Sequence, residues 1–237
     1  MQHEITKPQR LLDENGNIKE PGFAKKMLYE YHRSDVKAKN WRIKEWDYYY
    51  IGNQHYGLAL TIGDNGFAGA LSTSILEFDK PYDVTKTALV VFPLGKMNLP
   101  ETSEKGTTKW TQGKSSYSFE NDGKVRHLKG THAKFDGDNA LTFDITLSDF
   151  PEESMVIATP FDKNAHFYFN QKINLAIFDG NIEGNLVEFM RFSVIEKHIF
   201  GRCGRVAETV TDIPAEAAAV FEIALQAAPV PGVVVLK

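Results

Sequence analysis

The chain holds a single cysteine, Cys203, in 237 residues. An internal disulfide and a cysteine-rich metal site are therefore excluded. Positive charge is not in excess: 27 Lys and Arg stand against 31 Asp and Glu, a formal net charge of −4. The electrostatic footprint of a nucleic-acid binder is thus missing. No apolar run approaches the roughly 20 residues that a membrane-spanning helix needs. The start, Met1-Gln-His-Glu-Ile-Thr-Lys, lacks the apolar core of a secretory signal. A soluble, cytoplasmic protein is the expectation. Phosphate-binding loops, G-x-G-x-x-G, G-x-S-x-G and His-Glu-x-x-His are all absent, so no cofactor is expected. The seven histidines lie on separate segments, and none forms an i, i+2 pair that would project from one strand face like metal ligands. His127 and His132 share one candidate strand but stand an odd number of residues apart, which puts them on opposite faces.

What is present is aromatic and alternating. Sixteen Phe and nine Tyr suit sheets whose faces are filled by large rings. Residues 1–22 are polar and turn-rich, and Phe23, Met27 and Tyr31 fall four apart, which predicts a short helix over 23–33. Strand patterns follow at 41–51, 56–62, 67–78, 87–92, 109–120, 124–135, 140–148, 155–159, 166–173 and 186–199. Segment 87–92 is apolar throughout and reads as a central strand, and the loop 93–106 is long enough to cover something. About ten strands separated by Gly, Asn and Asp turns imply an antiparallel sandwich or barrel. From Cys203 onward the grammar changes: the tail is Ala/Val/Pro-rich, predicts a helix over 213–228 behind Asp212 and Pro214, and does not resemble a further source of strands. The expected organisation is an N-terminal arm (1–35), an all-β, barrel-like domain (36–202) and an Ala-rich helical tail (203–237).

Two carboxylates carry the candidate chemistry. Asp47 and Glu45 share a face within Glu45-Trp46-Asp47-Tyr48-Tyr49-Tyr50, the densest polar and aromatic cluster. A buried carboxyl group there has the makings of a proton donor; the plainer reading is an amphipathic strand with its carboxylates in water. Asp144 lies opposite the aliphatic face formed by Leu141, Phe143, Ile145 and Leu147, so it points either into a lumen or into solvent. In 165–174, Phe167 and Phe169 alternate against His166, Tyr168 and Asn170, which suits a ligand wall and the wet face of a sheet equally. Trp46, Tyr49, Phe167, Phe169 and Asn170 are the candidate ligand-binding residues, and Asp47 and Asp144 the weak candidates for catalysis.

Several stretches together resemble the mostly bacterial family called domain of unknown function 2804. They are Leu11-Leu-Asp-Glu-Asn-Gly-Asn-Ile18, Arg42-Ile-Lys-Glu-Trp-Asp-Tyr-Tyr-Tyr-Ile51, Ser154-Met-Val-Ile-Ala-Thr-Pro-Phe161 and Phe167-Tyr-Phe-Asn-Gln-Lys-Ile-Asn174. The resemblance covers residues 8–174. It implies a distant likeness to carotenoid hydratase and tocopherol cyclase type proteins, hence a lipocalin-like (calycin) barrel, often in tandem, with a cavity for an apolar ligand. The Asp-Trp-Gly-Arg-Gly motif of family members has only an echo in Phe200-Gly-Arg-Cys-Gly-Arg205. The chain then reads as a shortened member that keeps one barrel. Three functions follow as expectations: binding of a hydrophobic, lipid- or isoprenoid-like small molecule; acid catalysis on such a molecule; or a fragment without activity of its own that self-associates.

Overall fold

The computed structural model describes residues 3–52, 55–80, 82–148, 151–173, 176–184, 187–191 and 233–236. Its strands are β1 (Gln9–Arg10), β2 (Gly22–Ala24), β3 (Tyr29–Glu30), β4 (Ile43–Gly52), β5 (Tyr56–Asp64), β6 (Ala68–Glu77), β7 (Tyr82–Val91), β8 (Gly106–Gln112), β9 (Ser115–Asn121), β10 (Arg126–Asp136), β11 (Asn139–Ser148), β12 (Met155–Pro160), β13 (Phe167–Lys172), β14 (Ala176–Gly184), β15 (Val187–Arg191) and β16 (Val233–Leu236). Two sheets dominate: an eight-stranded one ordered β2-β12-β13-β16-β4-β5-β6-β7, and a six-stranded one ordered β15-β14-β11-β10-β9-β8. Pairing is antiparallel except where β16 runs parallel to both β13 and β4, and in the small β1–β3 pair. Among the described residues there is no α-helix.

The all-β expectation holds in its sandwich form. Among the described residues there is no closure into a barrel: β7 pairs with β6 alone, and the chain then crosses through 92–105 to start β8 at the edge of the other sheet. A crossing between sheets replaces the hydrogen bonds that would close a barrel. Apolar side chains pack the core between the sheets. Leu58, Leu60, Ile62 and Leu71 from one side meet Tyr117, Phe119, Leu128, Phe143 and Ile145 from the other. Each fully buried side chain of this size contributes about 1.5–3 kcal/mol, and emptying a lumen for a large ligand would forfeit several of them.

The N-terminal segment is built into the protein. β2 pairs with β12, and Ile5, Leu11, Leu12, Tyr29 and Tyr31 form a second core with Ile43, Val156, Phe167 and Phe169. The helix expected over 23–33 is therefore replaced by β2 and β3. Backbone bonds from Gln9 N to Leu28 O and from Leu11 N to Glu30 O fix that extended form. A four-residue apolar spacing is matched here by separate extended pieces that each bury a ring. The strand expected over 109–120 is instead the β8–β9 hairpin, which turns at Gly113 in the left-handed region (φ 59°). Segment 87–92 is the end of an edge strand and mostly exposed, so its apolar run does not mark a sheet centre. Val233–Leu236 supplies a strand that the tail's composition argued against. The helix expected over 213–228 and the strand end at 192–199 lie outside the described residues.

One buried carboxylate organises an end of the sandwich. Asp64, fully buried, accepts the backbone N–H groups of Gly66 (3.0 Å), Gly95 (2.7 Å) and Met97 (3.5 Å). It thereby holds a loop in which Phe92, Leu94 and Asn98 all have positive φ, a conformation costing roughly 1–2 kcal/mol for each non-glycine residue. Gly66 (φ 77°, and tightly enclosed) cannot be replaced cheaply: a Cβ would lie 2.4 Å from the Trp41 carbonyl oxygen.

Asp64→Ala is expected to lower stability by about 3 kcal/mol, because its donors are left buried and unpaired. Asp144→Ala, at an exposed ion pair with Lys129, should change it by under about 1 kcal/mol. Equal urea midpoints for the two variants would remove Asp64 from this role. A pH effect follows from His132, buried with its Nδ1 2.7 Å from the Tyr117 hydroxyl. Burial, with Lys86 adding to it, pushes its pKa down. A lowered folded-state value means stability that is complete above the unfolded value of about 6.5 and lost as pH falls towards the folded one. Wild type should therefore lose more stability than His132→Gln between roughly pH 7.5 and pH 5, as read by urea midpoints.

Candidate functional site: a polar cleft between the sheets

Strand β4 runs past both cores, and its inward side chains change character along the way. Ile43 sits in the second core and Ile51 in the main one. Between them Glu45, Asp47 and Tyr49 point the same way, as alternation requires. Glu45 is buried; its carboxylate accepts the Tyr31 hydroxyl at 2.8 Å and pairs with the Arg33 guanidinium. Burial first, then the charge of Glu45, pushes the Tyr31 phenol far up, so it stays protonated and donates to that carboxylate.

Two residues further on, Asp47 and Tyr49 line a cleft of about 20 Å³. Its other walls are Thr108 from β8, Phe119 and Asn121 from β9, Arg126 from β10, and Pro100, Thr102, Ser103 and Lys105 from the crossing loop. The buried Thr108 hydroxyl donates to Asp47 Oδ2. The Arg126 guanidinium lies over the Tyr49 ring (5.7 Å), donates to its hydroxyl (3.1 Å) and donates to the Ser103 carbonyl (2.6 Å). Asn121 Nδ2 donates to the same carbonyl at 2.7 Å, and Tyr49 meets Phe119 edge-on at 5.0 Å. The Tyr49 phenol is pushed up to about 12 by burial, with Arg126 opposing the shift and Asp47 adding to it, so it is neutral at neutral pH. The Ser103 hydroxyl is buried in this wall and has no hydrogen-bond partner. Chemically the cleft offers a carboxylate, a guanidinium and an unused hydroxyl around room for a water-sized group; a cavity needs only about 10–15 Å³ to hold one water.

Of the residues singled out in the sequence, Asp47 and Tyr49 meet here. Trp46 lies on the opposite face of β4, across from Gly63. Phe167 and Phe169 are packed in the second core, where Tyr29 (5.9 Å, edge-on) and Tyr31 (6.2 Å, stacked) cover Phe169. Asn170 is buried and donates to the Tyr168 hydroxyl at 2.9 Å. Asp144 is exposed and ion-paired with Lys129 at 2.9 Å, so the solvent reading of its face is the correct one. Arg126, Ser103 and Thr108 were missed: they sit on three separate segments far from β4 in sequence, and no spacing links them. Among the described residues no group of three His, Cys, Asp or Glu side chains is placed to hold a metal ion, and no helix is long and apolar enough to cross a membrane.

The fold and cleft define an all-β sandwich with a small polar site at the junction of its sheets. The chain belongs to the DUF2804 family, a domain of unknown function, whose model matches residues 2–199. The match extends past the stretches that first suggested it, taking in β14 and β15 as well. No curated protein and no solved structure matches the chain.

Arg126→Gln is expected to free the crossing loop. Amide exchange across 100–108 should speed up by about tenfold or more, read by mass spectrometry, while Lys124→Gln leaves it unchanged. Unaltered exchange in both would mean that Arg126 does not hold the loop.

Proposed function

We propose that the protein binds a lipid- or isoprenoid-like small molecule by its polar end, with the hydroxyl or carboxyl group of the ligand held in the cleft by Arg126, Ser103 and Asp47. The observation that carries this reading is the buried, unpartnered Ser103 hydroxyl in a wall shared with a guanidinium and a carboxylate. Buried polar groups are normally satisfied, and an exception at the mouth of a cleft suits a group that a ligand completes. A cleft of about 20 Å³ admits only the head of such a molecule, since apolar ligand pockets run to roughly 300–1,000 Å³. The hydrocarbon would lie outside the filled sandwich, which replaces the barrel cavity expected from the sequence. Acid catalysis on the same ligand rests on Asp47 alone, because Asp144 stands in solvent.

Mass spectrometry of an organic extract of the purified chain should reveal an amphiphile in near-stoichiometric amount. Ser103→Ala should leave the urea midpoint unchanged or slightly raised, since it removes an unsatisfied buried hydroxyl. It should weaken retention of that amphiphile about fivefold, the worth of one hydrogen bond. Full retention in Ser103→Ala, or an extract without any amphiphile, would falsify the reading.

A further inference from the structure

Large exposed apolar side chains are few on this surface, and four of them are aromatic residues on connections rather than strands: Trp41 (43% exposed), Phe67 (40%), Phe92 (60%) and Phe161 (47%). They are far apart in sequence, yet strand direction brings them to one end of the eight-stranded sheet. Trp41 precedes the start of β4. Phe67 lies in the β5–β6 turn, after Asp64, whose cross-strand partner on β4 is Glu45. Phe92 follows β7 directly, where Val91 pairs with Ala68 at the start of β6, and its backbone N–H donates to the Phe67 carbonyl at 3.0 Å. Phe161 opens the β12–β13 connection and donates its N–H to the His166 carbonyl at 2.9 Å, level with the start of β13. β13 runs in the same direction as β4, and Tyr31 ties the two at one height by stacking on Phe169 and bonding to Glu45. From β13 to β7 is five strand spacings, so the row is roughly 24 Å long at about 4.8 Å per strand.

The charge of these connections departs from that of the chain. The segments 37–42, 65–67, 92–98 and 161–166 carry Lys37, Lys39, Arg42, Lys96 and Lys163 against one acid, Asp162. The whole protein is at −4. Lys39, Lys96 and Lys163 are exposed and make no ion pair among the described residues. Arg42 lies 5.3 Å over the Trp41 ring. Beside Phe92 the edge strand adds Leu89 (66% exposed) and Val91 (73%).

From this convergence we infer that this end of the sandwich docks on an anionic phospholipid bilayer, with Trp41, Phe67, Phe92 and Phe161 entering the interface and the lysines and Arg42 contacting lipid phosphates. Trp and Phe on separate short connections can each sink to the headgroup level without reshaping the sheet. Long cationic side chains around them keep their charge at the surface while their stems remain in apolar contact, and each is attracted to an anionic leaflet. A protein partner would meet the same rings, but the alternation of single aromatics with cations along a line fits a planar charged surface better than a packed interface core, which is depleted in lysine. Asp64 rigidifies the row from beneath, because its carboxylate holds both the turn that carries Phe67 and the loop that follows Phe92.

Flotation of the full chain with phosphatidylcholine vesicles containing roughly 30% phosphatidylserine tests this, against phosphatidylcholine alone. Binding is expected to the anionic vesicles only. The pair Trp41→Ser and Phe92→Ser should weaken it at least about tenfold. The pair Lys39→Glu and Lys96→Glu should weaken it to a similar or greater extent, at about fivefold or more per residue. Tyr82→Ser, which removes an exposed ring at the opposite end of β7, should bind like wild type. All of these positions are on the surface, and unchanged urea midpoints would show that the variants fold. No flotation with either vesicle would overturn the inference, as would flotation that ignores the Trp41 and Phe92 pair. Concentration-dependent dimers dissolved by that pair, without vesicle binding, would instead assign the row to contact between copies. The outcome does not depend on the cleft: a chain that floats but retains no amphiphile keeps the docking surface and loses the binding function, and the converse holds.

Discussion

Two carboxylates on the inner face of one strand set the terms for the rest of the molecule. Because β4 alternates, the residues between Ile43 and Ile51 that face inward must include Glu45 and Asp47, and neither can turn to water without slipping the whole strand by one residue. A slip would turn Ile43 and Ile51 out of the two cores that hold them. Each carboxylate must therefore be met where it lies. Glu45 is met by the N-terminal segment through Tyr31 and Arg33. Asp47 is met by the six-stranded sheet through Thr108. The junction between the two cores is polar for this reason, and the cleft is a consequence of it.

The crossing loop depends on the same arrangement. It leaves β7, passes over the end of the main core with Met97 and Leu99 turned in, and reaches β8 beside Asp47. Several of its residues adopt left-handed backbone, which no local preference favours for Phe92 or Leu94. Asp64 at one end, Arg126 through the Ser103 carbonyl at the other, and Glu101 accepting the Arg33 N–H at 2.8 Å together supply the compensating bonds. Strain held by tertiary contacts is common around sites, and here the strained segment furnishes both Ser103 in the cleft wall and Phe92 in the aromatic row.

Much of the architecture was legible in advance, and the misreadings share one cause. Alternation over Leu141, Phe143, Ile145 and Leu147 marked β11 and its buried face correctly, and the odd separation of His127 and His132 put one in solvent and one against Tyr117. The turn at 63–66 located the β5–β6 hairpin. By contrast, Phe23, Met27 and Tyr31 satisfied helical spacing while folding as extended chain, and 87–92 had the composition of a central strand while lying at an edge. In each case a local pattern was compatible with two environments, and partners distant in sequence decided between them. The cleft divides in the same way. Asp47 and Tyr49 were visible because they are crowded into one strand with other polar and aromatic groups; Arg126, Ser103 and Thr108 were not, because each is ordinary in its own segment.

The sequence by itself determined that this chain is all-β, where most strands and hairpins fall, and which residues of each strand share a face, because these follow from a period-2 pattern and turn chemistry that act within a few residues. Only the tertiary structure decided that the sheets stay open as a sandwich, that Asp47 looks into a cleft while Asp144 looks into water, and that four distant aromatics end in one row. Those are outcomes of strand order and direction, and long-range pairing is settled by which surfaces can be buried together rather than by any property a single segment carries.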